Sequence, residues 1–257
     1  MCRRVELFKE EDKREIRRNM NTALILAAGI DARFQMDVPK QFVNVNNRPM
    51  IVYTLEKFQT HPDIDEIVVV CLDGWQEVVR VYGKQFHITK LNAILAGGEN
   101  AQKSTYIGLQ YLKEQLQMKK GDIVVIHDAI RPMVSERLIT KSMQMCRKCG
   151  MGVAAIYIMD AIMHTEDGKC GYDSINRNEI MKIQTPQSFD LDYIWSMHNR
   201  AIKEGKIGFW DNTGMLTSLD EKIYFSEGSD LNMKVNSTED VAMFKALYKM
   251  AQDSEEE

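Results

Sequence analysis

No apolar run in this chain approaches the ~20 residues that a bilayer-spanning helix needs. The opening stretch MCRRVELFKEEDKREIRRNM is charged throughout and lacks the apolar centre of a secretory signal. An excess of positive charge is missing too. With 33 Lys and Arg against 37 Asp and Glu, the formal charge is −4, which argues against a protein that works on the nucleic-acid backbone. These absences set the expectation of a cytoplasmic protein with no membrane and no nucleic acid among its partners. Of five cysteines only Cys146 and Cys149, in MCRKCG, lie close together. A lone pair lacks the second C-x-x-C of a structural zinc site, and the plainer expectation is a helix end closed by Gly150. There is no internal repeat, and only the acidic tail AQDSEEE is of low complexity.

What is present is an ordinary globular composition, 44% apolar and 27% charged, in a chain of 257 residues. That length suffices for one large domain with a well-buried core. A charged extension is expected over residues 1–20, a single domain over 21–250 and the tail over 251–257. Within the domain, strand-like and helix-like segments alternate. TALILAA, DEIVVVCL, NAILAGG, DIVVIHDA and GVAAIYIM read as strands. MIVYTLEKFQTH, GWQEVVRVYGKQF, QKSTYIGLQYLKEQL and SERLITKSMQMCRKCG read as helices between them. Runs such as IVVV and IVVI are apolar on both faces, as central parallel strands covered by helices should be. The expected fold is therefore a three-layer α/β/α sandwich with a mostly parallel, mixed sheet of the nucleotide-binding type. A β-hairpin arm over about 158–184, turning at EDGKCGYD, is expected to project from it.

In such sheets ligands sit beyond the carboxyl ends of the strands. The first strand ends in LAAGIDARFQMDVPKQF. Small residues Ala27, Ala28 and Gly29 allow close approach to the backbone, Arg33 offers a phosphate fork and Lys40 a point charge. The same pattern also suits a plain loop with surface cations. The third strand ends in AGGENAQKSTYIGL, which falls short of a P-loop because Gln102 replaces its second glycine and the strand is not the first. Gly98, Glu99 and Ser104 can read the edge of a base or simply cap a helix. After the fourth strand, HDAIRP carries Asp128 and Arg131, either a local salt bridge or binders of hydroxyls and an anion. His127 beside them reads as a packed, hydrogen-bonded residue. Lys234 precedes a helix capped by NSTED.

Taken in order, LAAGIDARFQMDVPKQF, AGGENAQKSTYIGL, HDAIRP, QTPQSF and GSDLNMKV resemble the cytidylyltransferases of methylerythritol phosphate and ribitol phosphate, over about residues 22–247. The resemblance implies transfer of CMP from CTP to a polyol phosphate with release of pyrophosphate and Mg²⁺ as the cation. It also implies a homodimer built through the arm. By position, Arg33, Lys40 and Lys234 match the catalytic cations on the triphosphate. Ala27, Ala28, Gly29, Gly98, Glu99 and Ser104 match the nucleotide site. Asp128, Arg131 and, from the neighbouring subunit's arm, Arg177 match the acceptor side. No protein metal ligand is implied, Mg²⁺ being held mainly by the CTP phosphates. Four positions depart from the family pattern: Asp31 for a second loop glycine, Ala101 for an arginine, Ala161 for a threonine, and Trp210 for a small hydroxyl residue. They leave open a weakened or silent dimeric homologue acting as a binding partner. The segment RPMIVYTLEKFQTHPDIDEIVVVCLDGWQE and the phrase INRNE lean toward ribitol 5-phosphate, with 2-C-methyl-D-erythritol 4-phosphate next.

Overall fold

The structure is a computed structural model that describes residues 19–29 and 38–253. The expected extension, apart from residues 19 and 20, and the last four residues of the tail lie outside them. In chain order the strands are β1 (Asn21–Ala27), β2 (Asn44–Val45), β3 (Arg48–Pro49), β4 (Glu66–Cys71), β5 (Leu91–Ala96) and β6 (Ile123–Asp128). They continue as β7 (Met151–Tyr157), β8 (Ile162–His164), β9 (Asp173–Ile175), β10 (Met181–Asp190) and β11 (Phe225–Glu227). The helices are α1 (Met50–Thr60), α2 (Gln76–Gln85), α3 (Ala101–Glu114), α4 (Glu136–Cys149), α5 (Leu191–Lys203), α6 (Asn212–Ser218) and α7 (Thr238–Asp253). No described helix is long and apolar enough to cross a membrane.

Seven strands form one sheet in the order β11-β7-β10-β6-β1-β4-β5. All its pairings are parallel except those of β10, which runs antiparallel between β6 and β7. The period-2 rule explains the layers. Ala23, Ile25 and Ala27 of β1 turn to one face, where Ile51, Leu55 and Phe58 of α1 and Leu138, Ile139 and Met143 of α4 cover them. Leu24 turns to the other, against Leu109 and Leu112 of α3, Ile194 of α5 and Leu216 of α6. The sheet is thus buried on both sides, as its uninterrupted apolar strands require. A smaller cluster packs Phe244 and Val241 of α7 on Met50 and Tyr53 of α1 and on Val235.

Helix ends follow local chemistry. Ser135 accepts a hydrogen bond from the Leu138 N–H at the start of α4, and Gly150 ends that helix at φ 82°, so MCRKCG is a helix terminus. A reciprocal capping box starts α7: Ser237 Oγ accepts from the Asp240 N–H while Asp240 Oδ2 accepts from the Ser237 N–H. The hairpin expected around EDGKCGYD is the antiparallel pair β8–β9, a two-stranded sheet separate from the main one. Its turn closes on Asp167, whose Oδ1 accepts from the backbone of Lys169 and Cys170. From Met181 the chain is β10, so the last residues of the segment 158–184 belong to the main sheet.

Candidate functional site

The parallel strands β1, β4, β5 and β6 present their carboxyl ends along one edge of the sheet. At β1 the carbonyl of Ala27 accepts a hydrogen bond of 2.6 Å from Gln41 Nε2. Gln41 lies in the 3-10 turn Lys40–Phe42, and Phe42 stacks on Trp75 with ring centroids 4.3 Å apart. Two anchored neighbours therefore fix Lys40, whose side chain is buried to an extent unusual for a lysine, 8% exposed. Its Nζ donates to Asn236 Oδ1 at 3.0 Å.

The β5 end reaches across β4 toward the β1 end. Gly97 donates to the Cys71 carbonyl at 2.7 Å, and a Cβ on Gly97 would come within 2.3 Å of the Ala28 Cβ. Only glycine permits that approach. In the following turn, Ser104 Oγ donates to the Asn100 carbonyl and accepts from the Gly98 N–H at 3.1 Å. Asn100, not Ser104, caps α3 through the Lys103 N–H. The Glu99 carboxylate at the tip is exposed.

At the end of β6 the Asp128 carboxylate holds two cations through one oxygen: Arg131 Nε and Lys234 Nζ both lie 3.1 Å from Oδ2. Burial alone would raise the pKa of Asp128, but the Lys234 ammonium and the Arg131 guanidinium outweigh it and hold the carboxyl well below the usual range. Arg131 Nη1 also donates to the Asn232 carbonyl at 2.9 Å, and the Val235 N–H donates to the Ile130 carbonyl. Residues 232–236 are thereby clipped onto the loop after β6. Asn236, which receives Lys40, donates back to the Lys234 carbonyl at 3.3 Å. Lys40, Asp128, Arg131 and Lys234 thus form one connected set drawn from three distant segments.

His127 is fully buried beneath this set. A carbonyl can only accept, so His127 Nε2 carries the proton it gives to the Arg131 oxygen at 3.2 Å, and Nδ1 receives the hydroxyl of Thr185 at 3.0 Å. Burial pushes its pKa down to about 4. It is the packed, hydrogen-bonded residue that the sequence suggested.

Of the two remaining expected cations, one falls outside the described residues and the other is placed elsewhere. Arg33 lies outside the described residues, as does the departing residue Asp31. Arg177, in the 3-10 turn Arg177–Glu179, is exposed and donates to the carbonyl of Met159 instead. Conversely, Asn236, Thr185 and Asn232 were not singled out from the sequence. Asn236 was legible only as part of a helix cap, and Thr185 gained its place because a register shift in β10 between Ile183 and Gln187 turns it onto the Asp128 N–H. Among the described residues no three His, Cys, Asp or Glu side chains gather to hold a metal ion.

The family model of IspD, 2-C-methyl-D-erythritol 4-phosphate cytidylyltransferase, matches residues 21–250. A ribitol-5-phosphate cytidylyltransferase of Lacticaseibacillus paracasei is 38% identical over 233 residues, covering 90% of this chain and 98% of that protein. A 2-C-methyl-D-erythritol 4-phosphate cytidylyltransferase of Clostridium novyi is 32% identical over 228 residues, covering 88% and 96%. Among solved structures, the 4-diphosphocytidyl-2C-methyl-D-erythritol synthase of Anaerococcus prevotii superposes with a TM-score of 0.76 at 24% identity, covering 90% of this chain and 96% of that one. At that identity the likeness is one of fold.

Proposed function

Since the chain belongs to the 2-C-methyl-D-erythritol 4-phosphate cytidylyltransferase family and is a cytidylyltransferase, we propose that it moves CMP from CTP to ribitol 5-phosphate. In this reading Lys40 and Lys234, with Arg33, hold the triphosphate and the transferring phosphoryl group. The observation that carries the reading is the connected set Lys40–Asn236–Lys234–Asp128–Arg131 at the strand ends. Ala27, Ala28, Gly29, Gly98, Glu99 and Ser104 receive the nucleotide. Asp128 and Arg131 receive the acceptor. The relative at 38% identity carries the ribitol name while the methylerythritol relative stands at 32%, which favours ribitol 5-phosphate as the acceptor.

The chemistry suits a site without a general base. The nucleophile is an oxygen of a phosphate monoester, whose second pKa is ~6, so most of it is already ionised at pH 7. It attacks the α-phosphorus of CTP; the new P–O bond forms as the bond to the β-phosphate bridge breaks, and pyrophosphate leaves with the electron pair. The obstacle is bringing two polyanions together, and fixed cations answer it. His127 is in no position to serve as base, with both ring nitrogens engaged. Asp128 is committed to two cations, so Mg²⁺ enters in this proposal as part of the nucleotide substrate, on its phosphates. A reaction that consumes CTP also makes the cytoplasm the proposed location.

Pyrophosphate release tests the reading. Release is expected with CTP, Mg²⁺ and ribitol 5-phosphate together, and more slowly with 2-C-methyl-D-erythritol 4-phosphate. No release with either acceptor would leave a silent homologue. The proposal also places Arg177 of one subunit at the acceptor phosphate of the other, through a homodimer built on the β8–β9 hairpin. Mixing Arg177→Ala with Lys40→Ala subunits should then restore activity by giving each mixed dimer one intact site. Mixtures no more active than the separate variants would remove the crossing.

A further inference from the structure

The chain has three tryptophans, and two of them are packed: Trp75 on Phe42, and Trp195 on Tyr106 with centroids 5.0 Å apart. Trp210 is 95% exposed. A single exposed aromatic is ordinary on a protein surface. What sets this one apart is how firmly its loop is held, and between which elements.

The loop joins α5 to α6 and is tied on one side to the first turn of α3. Gln102, itself only 6% exposed, donates to the Lys206 carbonyl at 3.0 Å and accepts from the Phe209 N–H at 3.3 Å. Gln102 follows Glu99 and Asn100 in the turn assigned to the nucleotide. Phe209 points inward, packed against the core beneath α3 and α5, and Asp211 caps α6 through the Gly214 N–H at 2.8 Å. On the other side, Asn212 is buried and donates to Gln187 Oε1 at 3.1 Å. Gln187 donates to the Gln184 carbonyl, and Asn232 donates both to Gln184 Oε1 and to the Thr185 carbonyl. Thr185 in turn accepts from the Asp128 N–H. A chain of buried side chains therefore runs from the base of the Trp210 loop to the backbone N–H of Asp128, the residue whose carboxylate holds Lys234 and Arg131.

Trp210 is thus bracketed by two fixed points: the turn that receives the nucleotide and the cluster that receives the acceptor. Its neighbour Phe209 is packed inward, while the indole is left uncovered on a rigid stem. Resting on the reading given above, we propose that Trp210 is a specificity-determining residue whose indole forms the apolar wall over the carbon chain of the bound polyol phosphate. An open-chain polyol shows C–H groups as well as hydroxyls, and an indole face packs on the former while hydrogen-bonding groups elsewhere take the latter. Because the loop is anchored before any ligand arrives, the wall is preformed and little ordering opposes binding.

The test uses the full-length protein and the variants Trp210→Ala and Trp210→Phe. Both should fold with unchanged melting temperature, since the Trp210 side chain is almost fully exposed. In pyrophosphate-release kinetics Trp210→Ala should raise the acceptor KM about tenfold or more, leave the CTP KM within about twofold, and be largely rescued by Trp210→Phe. In the wild type, adding ribitol 5-phosphate to the protein saturated with CTP and Mg²⁺, under rapid mixing, should change tryptophan emission; Trp210→Phe should abolish the change. Unchanged acceptor KM in Trp210→Ala, an effect confined to the CTP KM, or a shift from dimer to monomer would each overturn the inference while the cytidylyltransferase reading stands. A wild type that releases no pyrophosphate with either acceptor sinks both.

Discussion

Replacing Lys40 by alanine is expected to lower the rate of pyrophosphate release about 10²–10³-fold, the loss seen when one fixed transition-state donor is removed, with far-ultraviolet circular dichroism unchanged. The size of the effect follows from where Lys40 sits. It is 8% exposed, its neighbours Gln41 and Phe42 are anchored to Ala27 and Trp75, and its ammonium is already directed at Asn236. Such a charge needs no reorganisation when the α-phosphorus gathers negative charge, and low local dielectric strengthens it. Fold should survive because the packing around the 3-10 turn comes from Phe42 rather than from the lysine. A Lys40→Ala protein that keeps more than about a tenth of wild-type turnover would remove Lys40 from the machinery.

Asp128→Asn should have the second-largest effect, on stability as well as on rate. The carboxylate separates Arg131 from Lys234, and an amide of the same shape leaves two cations facing each other without an anion. Arg131 is buried while Lys234 is partly exposed, so the expected cost is about 1–3 kcal/mol at pH 7. A displaced Lys234 should lower kcat/KM about 10²-fold, since small misplacements are that expensive. The sign of the pH dependence is fixed by the direction of the shift. Asp128 is held below the ~3.9 of an unfolded aspartate. Its contribution is therefore fully present above about pH 4 and disappears as pH falls toward the folded value. Wild type and variant should differ by a constant amount from pH 7 to about pH 5 in urea melts, and converge only below. His127 and His198, both pushed down to about 4 by burial, cost both proteins stability as pH falls from ~6.5 toward 4, because the unfolded chain takes up those protons first. Convergence of the two curves already at pH 6 would contradict the assignment to Asp128.

The parallel part of the fold was legible because its strands are apolar on both faces and its helices carry their own stops. IVVV and IVVI became β4 and β6, and Gly150 closed α4 as the sequence suggested. The antiparallel insertion of β10 was not legible. QTPQSF has no alternation to announce a strand, and its burial between β6 and β7 is a consequence of long-range pairing. The site was read through its charges, since cations at strand ends are visible one by one. The amides that join them were not: Asn236 looked like a cap, and Gln184 fell at the end of the expected hairpin arm. Their significance lies in partners 45 to 196 positions away. Trp210 was noted only as a departure from a family pattern, because exposure is a property of the folded chain.

The central claim is that Lys40 and Lys234, brought together from opposite ends of the chain, face the triphosphate of CTP. A crystal structure of the protein with CTP and Mg²⁺ tests it most directly. Both ammonium groups should lie within hydrogen-bond distance, ~2.7–3.2 Å, of phosphate oxygens, with the cytosine in the turn after β5. A triphosphate bound elsewhere, out of reach of both ammonium groups, would contradict it.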